Sequence, residues 1–377
     1  MVRSAAFVYD DVLSQHVLGD DHPMKPLRLR YTYELLKSYG AFRAVKSKLV
    51  APRQASNEEI LSYHTPEYVD AVRSVHRGES PANLSDFNFG EGDNPVYQGI
   101  HDAAVWSTGA SLKAAELLVL GEVEAAFSIS GGLHHAMPGY AYGFCVFNDP
   151  VIAIKAMMAE GMRVAYVDLD CHHGDGVQHA FYETDKVLTV SIHESGAFLF
   201  PGTGFTQEIG SGLGRGFSVN IPLYPYTSDE IYLWAFGEVV PPLLGAFHPD
   251  VLVTQMGIDT HYRDPITHLS LTVQGFGRIV KQLSLLAPDR WLALGGGGYD
   301  LQAVARAWTL AYGVISEQDL PDRIPEPYCS LYGVNTLRDT EERSTSDSFQ
   351  KDAMTFAESS VASVHSLIFP LHGIRSA

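Results

Sequence analysis

Residues 168–176 read D-L-D-C-H-H-G-D-G, a stretch crowded with groups that bind cations and move protons. In an extended chain, residues two apart point to the same side, so Asp170 and His172 could grip one ion with Asp168 behind them. A further carboxylate, Asp259, closes the apolar run P-D-V-L-V-T-Q-M-G-I. Asp, His and Asp with one open position is the ligand set of a catalytic zinc, where three protein ligands leave room for a water. One Zn2+ per chain is therefore expected on Asp170, His172 and Asp259. An all-cysteine structural site is excluded, because the chain has only Cys145, Cys171 and Cys329.

Two neighbouring histidines, His134 and His135, lie in S-G-G-L-H-H-A-M-P-G. Adjacent residues of an extended segment do not easily share one ion, so proton transfer suits them better. A neutral imidazole takes a proton from an activated water and later returns it. Such a base needs a carboxylate to orient it, and Asp168 and Asp175 are free of the metal for that purpose. Tyr299 follows L-G-G-G-G, where its hydroxyl could donate to a developing oxyanion. The glycines 295–298, Gly297 among them, lack the Lys-Ser/Thr of a phosphate loop. Close approach of backbone to substrate accounts for them better.

What positions these groups is a series of short apolar strands separated by helices. Strands are expected at 124–130, 163–170, 186–193, 249–257 and 290–296, and helices at 101–120, 149–160, 228–246 and 273–286. Near-continuously apolar strands between helices imply a parallel sheet covered on both faces. Ligands of such sheets bind beyond the carboxyl ends of the strands. His134 and His135, Asp259, and Tyr299 each follow one of these strands, and Asp170 and His172 end another.

No internal repeat or low-complexity linker divides the chain, so 1–336 reads as one catalytic domain. The composition turns polar at 337–352, and 337–377 reads as a polar segment leading to a peripheral helix. A 46% hydrophobic content over 377 residues is ample for a large core. The formal net charge of −18 would repel phosphate backbones, so no direct nucleic-acid partner is expected. No apolar run is long enough for a bilayer, and the start M-V-R-S-A-A-F-V-Y-D-D does not resemble a signal peptide. With few cysteines and no C-x-x-C, a reducing cytoplasm fits.

Several motifs together resemble the histone deacetylase superfamily, which includes bacterial acetoin-utilisation proteins and acetylpolyamine amidohydrolases. They are H-P-M-K-P-L-R-L-R (22–30), G-E-G-D-N-P-V (90–96), S-G-G-L-H-H-A (130–136), G-F-C-V-F-N-D (143–149), Y-V-D-L-D-C-H-H-G-D-G (166–176), F-P-G-T-G (200–204), Q-M-G-I-D (255–259) and L-G-G-G-G-Y (294–299). The resemblance runs from about Tyr9 to about Trp308, and H-P-M-K-P is most similar to the class I-like and acetoin-utilisation branch.

The resemblance implies an arginase/deacetylase-like three-layer α/β fold with an eight-stranded parallel sheet. It implies zinc on Asp170, His172 and Asp259, and His135 as general base and acid with His134 as its electrostatic partner. Asp175 would pair with His135 and Asp168 with His134, while Tyr299 would polarise the acyl carbonyl. Gly143, Phe144, Phe200 and Gly297 would line a narrow tunnel, Asp93 would hold substrate at its rim, and Arg28 would line an inner channel for acetate. K+ would sit on Asp168, Asp170, His172, Ser191 and Ile192, and a second ion near Phe181, Thr184, Val187 and Phe217. The implied substrate is an acetylated protein or peptide, with an acetylated polyamine or longer acyl-lysine as alternatives. The chain departs from the family at Leu133, where an aromatic is common, and at Cys171, where Leu is common. A two-metal ureohydrolase on the same fold would need acids two residues after His172 and after Asp259, but those places hold Gly174 and His261.

Overall fold

Eight short strands, each 4–8 residues and almost wholly buried, carry the architecture. The structure is a computed structural model that describes residues 3–15, 18–19, 21–79, 83–341 and 346–375. The strands are β1 (Ala5–Val8), β2 (Ser47–Val50), β3 (Ala125–Ser128), β4 (Val164–Asp168), β5 (Val187–Glu194), β6 (Ser218–Leu223), β7 (Val251–Gln255) and β8 (Trp291–Leu294). They form one sheet in the order β2-β1-β3-β8-β7-β4-β5-β6. Every pairing is parallel. The helices fall into two packed groups, as a sheet buried on both faces requires. One group joins Leu27–Ser38, Leu301–Ile315, Val273–Leu286 and Asp229–Phe247; the other joins Pro66–His76, Ile100–Val119 and Asp149–Ala159.

The five strands expected from the apolar runs all appear, and four of them, β3, β4, β7 and β8, are trimmed at their carboxyl ends. Trimming has one cause: residues after Ser128, Asp168, Gln255 and Leu294 leave the ladder to build loops above the sheet. Asp170 and His172 therefore sit on a loop beyond β4, not on the strand itself. The edge strand β2 has two exposed residues and gives little apolar signal. Helix starts near those loops are capped. Asn148 accepts from Val151 N at 3.1 Å, and Asp300 accepts from Ala303 N at 2.8 Å. Each satisfies an N–H left unpaired at a helix start.

The carboxyl-terminal helix spans Asp347–Leu367 and packs on β6 and on helix Asp229–Phe247. Its Ala353, Ala357, Val361 and Val364 belong to the same hydrophobic core as the sheet. Residues 342–345 of the polar stretch lie outside the described residues. No helix among the described residues is long and apolar enough to cross a membrane.

Phe127 on β3 sits fully buried between Phe7 and Trp308, with ring centroids 5.9 and 6.3 Å away. Phe127→Ala should lower unfolding free energy by about 3–5 kcal/mol in urea titration. Val45→Ala, at a fully exposed position, should change it by no more than about 0.5 kcal/mol.

Candidate active site

Strands β3, β8, β7 and β4 are neighbours at the centre of the sheet. Their carboxyl ends deliver His134 and His135, Tyr299, Asp259, and Asp170 with His172, respectively. Segments distant in the sequence are thereby brought together above four consecutive strands.

Ligand atoms of Asp170, His172 and Asp259 all lie within 4.8 Å of one another, and all three residues are buried. His172 Nδ1 is 3.1 Å from Asp170 Oδ1 and 2.8 Å from Asp259 Oδ2. The outward oxygens are held by donors. Gln255 Nε2 and Gly297 N donate to Asp170 Oδ2 at 2.6 and 2.7 Å, and Cys171 N donates to Asp259 Oδ1 at 2.7 Å. Burial and the Asp170 charge push the Asp259 carboxyl above the usual carboxylate range. Two buried carboxylates this close need a cation to remain ionised together. A mixed nitrogen and oxygen set of three suits zinc with one position open.

The two positions that would supply carboxylates to a second catalytic metal hold Gly174 and His261. A Cβ on Gly174 would lie 2.3 Å from Asp168 Oδ2. His261 turns away from the trio, with Nε2 3.0 Å from Asp339 Oδ2.

The two histidines form a linked pair. His134 Nδ1 lies 2.7 Å from Asp168 Oδ2, His135 Nδ1 lies 2.6 Å from Asp175 Oδ1, and the two Nε2 atoms are 3.0 Å apart. Tyr166 adds its hydroxyl to the same Asp168 oxygen at 2.7 Å. Burial pulls the His134 imidazole down, but the charges of Asp168 and Asp170 outweigh it and lift it to about 9. Burial and the His134 charge push His135 down to about 4, against the pull of Asp175. One imidazole is thus held charged and its neighbour neutral at pH 7, the second being the form that accepts a proton.

A cavity of about 180 Å³ leads down to these groups and is lined by Asp93, His135, Gly143, Phe144, His172 and Phe200, with Tyr299. The Phe144 ring meets Tyr299 edge-on at 5.7 Å, and Phe200 meets His135 at 5.2 Å. Phe144 has φ 70°, a left-handed conformation held by Asn94, whose Oδ1 accepts from Phe144 N at 3.1 Å. A Cβ on Gly143 would fall 2.4 Å from His135 Cδ2, so only glycine lets the two loops close over the tunnel. Asp93 is exposed at the rim. Tyr299 N donates to Asp264 Oδ2 at 2.9 Å, which sets where the tyrosine leaves the glycine run.

Below the tunnel floor, Met24 and Leu133 line both the metal-site pocket and an inner cavity of about 90 Å³. Arg28 lines that inner cavity, donates Nη1 to Gly298 O at 2.9 Å and has no hydrogen-bond partner for Nε among the described residues. Ser191 pairs with Asp168 across the β4–β5 ladder, and Ile192 follows it with its carbonyl accepting from Tyr232 OH at 3.4 Å. Phe181, Thr184, Val187 and Phe217 lie toward the opposite end of these strands, where Phe217 O already accepts from Thr189 N at 2.9 Å.

Several residues that shape the site escape a reading of spacing alone. Gln255 and Asp264 have no pattern marking them apart from proximity to Asp259. Asp149 is fully buried and accepts from Gly132 N and Leu133 N at 3.0 and 2.9 Å, which fixes the loop bearing the His pair. The N-D-P triplet at 148–150 signals a helix start, and so hides this second task.

Comparison with known proteins agrees with the geometry. Residues 22–315 match the Histone deacetylase domain family. Acetoin utilization protein AcuC of Bacillus subtilis (strain 168) is 41% identical over 314 residues, 81% of each chain. Histone deacetylase 1 of Homo sapiens is 38% identical over 336 residues, 88% of this chain and 68% of the human one. A solved HDAC homolog from Aquifex aeolicus superposes with TM-score 0.86 at 29% identity, over 94% of this chain and 100% of that one. An HDAC homolog complexed with SAHA gives TM-score 0.85 at the same 29% identity and the same coverage.

A Cβ on Gly297 would lie 2.2 Å from Asp259 Oδ2 and 2.9 Å from Asp170 Oδ2. Gly297→Ala should therefore cut zinc retained after dialysis at least about tenfold, as a displaced ligand set does, read by elemental analysis. Wild-type zinc content in that variant would show the trio does not hold the metal.

Proposed function

The chain belongs to the histone deacetylase family, and from that membership we propose that it is a zinc-dependent deacetylase, cleaving the amide of acetyl-lysine in a protein or peptide to lysine and acetate. One observation carries the reading: His135, His172 and Tyr299 line the floor of a single cavity walled by Phe144 and Phe200. Two aromatic walls admit a linear aliphatic stem and exclude bulkier groups. The match to AcuC and the histone deacetylases supports an acetylated substrate.

Asp170, His172 and Asp259 would hold one Zn2+. A zinc bound there supplies Lewis acidity to the amide carbonyl and acidifies water. His135, neutral and aligned by Asp175, takes the proton of the attacking water. The charged His134 beside it, steadied by Asp168, favours the negative charge that builds on the substrate. Tyr299 donates its hydroxyl to that oxyanion. His135 then returns the proton to the leaving lysine amine. Asp93 at the rim would accept from the substrate backbone, and acetate would leave through the inner cavity beside Arg28, whose unpartnered Nε is available to it. K+ would lie behind the trio on Asp168, Asp170, His172, Ser191 and Ile192, with a second ion near Phe181, Thr184, Val187 and Phe217. Three free cysteines suit a reducing cytoplasm.

A panel of acetyl-lysine peptides, acetylpolyamines and longer acyl-lysines, each with zinc and with a chelator, tests the proposal. Chelator-sensitive hydrolysis should be fastest on acetyl-lysine peptides; no turnover of any of them would sink it. Tyr299→Phe should lower kcat by about a hundredfold or more, and full turnover in that variant would remove the tyrosine from the mechanism. The rate should also be bell-shaped in pH. Base catalysis needs neutral His135, so kcat/KM falls on the acid side as pH drops toward about 4. His134 keeps its proton up to about 9, so the alkaline limb falls as pH rises through that value. Asp168→Asn removes the main charge holding His134 up and should shift the alkaline limb to lower pH.

A further inference from the structure

Beyond residue 315, where the family match ends, the chain returns to the site. We propose that Asp339 is a positioning residue that clamps the loop carrying Asp259 and Asp264 to the helix that starts just after Tyr299. The proposal rests on the roles given above to Asp259 and Tyr299.

The Asp339 side chain is 3% exposed and receives three donors. His261 Nε2 lies 3.0 Å from Oδ2, Val273 N donates to Oδ2 at 2.8 Å, and Arg306 Nη1 lies 2.7 Å from Oδ1. His261 stands two residues after Asp259. Its Nδ1 accepts from Arg263 N at 3.2 Å, which leaves Nε2–H as the donor to Asp339. Its backbone carbonyl accepts from Asp264 N at 2.8 Å, and Asp264 Oδ2 accepts from Tyr299 N at 2.9 Å. Arg306 belongs to helix Leu301–Ile315 and is almost fully buried. One carboxylate thus grips the metal-ligand loop through His261 and the tyrosine's helix through Arg306.

Asp339 is itself fixed. Leu337 is fully buried, and its N donates to Asp322 O at 2.7 Å. Asp339 N donates to Gln274 Oε1 at 2.9 Å. Removing the Asp339 charge would leave buried Arg306 without a carboxylate partner among the described residues. The strain would fall on two segments that each carry one reacting group, so the distance between oxyanion donor and metal ligand is what the clamp holds. Partners behind metal ligands commonly change metal affinity or activity 10–100-fold (on the order of) when lost.

The test uses Asp339→Asn in the full chain, with Thr340→Ala, at the exposed neighbouring position, as a control. For Asp339→Asn, kcat on an acetyl-lysine peptide should fall about tenfold or more with KM within about twofold, and zinc affinity, read by competition with a chromogenic chelator, should fall about tenfold. Hydrogen exchange should quicken in 258–264 and 299–306 and nowhere in β3–β8. Thr340→Ala should match the wild type. Should Asp339→Asn fail to fold, His261→Leu and His261→Gln decide: Leu should reproduce the loss, and Gln, which keeps an N–H for Asp339, should recover most of it. Kinetics and zinc affinity within about twofold of wild type would overturn the clamp. So would loss of exchange protection spread evenly over the sheet. A wild-type chain that hydrolyses no acyl-lysine would overturn the deacetylase reading instead, and the zinc and exchange measurements would still decide the clamp.

Discussion

Two carboxylates, Asp170 and Asp259, are buried side by side against one imidazole. Like charges in a low-dielectric interior repel strongly unless a cation or a set of donors meets them. Much of what surrounds them answers that demand. Gln255, Gly297 and Cys171 point N–H groups at the outward oxygens. Glycines at 257 and 297 approach where a Cβ would come within 2.2 Å of a ligand oxygen. The sheet contributes by ending its central strands at the same level, so that backbone donors from several loops reach one point.

The charge pattern extends outward from there. Asp168 lies behind the trio and serves His134 instead of the metal position. With Asp170 it outweighs burial to raise the His134 imidazole, while burial and the His134 charge lower that of His135. Environment decides the role, because sequence position differs by one residue only. Gly174 sits against the same Asp168, so the space that a second metal ligand would occupy is given over to orienting the histidine pair.

Much of this was legible in the residues. Asp, His and Tyr at strand ends pointed to a crevice, and the structure places His134, His135, Asp170, His172 and Tyr299 around one pocket, with Asp259 against Asp170 and His172. The five central strands were legible because parallel strands buried on both faces are continuously apolar. The edge strand β2, half exposed, carried no such signal. Residues whose work is to hold others were the hardest to see. Gln255, at the end of β7, and Asp264, in the loop beyond it, resemble any polar residue until their partners are known. Asp339 lies eighty residues from Asp259 in a polar stretch, and only the folded chain shows that its carboxylate is shielded from solvent. Spacing reveals groups that act together locally; it says nothing about a carboxylate that arrives from a distant turn.

The central strands β3, β8, β7 and β4 begin at residues 125, 291, 251 and 164. Adjacent strands at the middle of the sheet are therefore separated by long stretches of chain, a topology of high contact order. During synthesis, the amino-terminal half would emerge with the His pair, Asp170 and His172, yet with no partner strand between β3 and β4. The gap closes only when β7 and β8 arrive. A chain that stops before β7 lacks both Asp259 and Tyr299, so the cluster assembles only once the last two strands have joined the sheet.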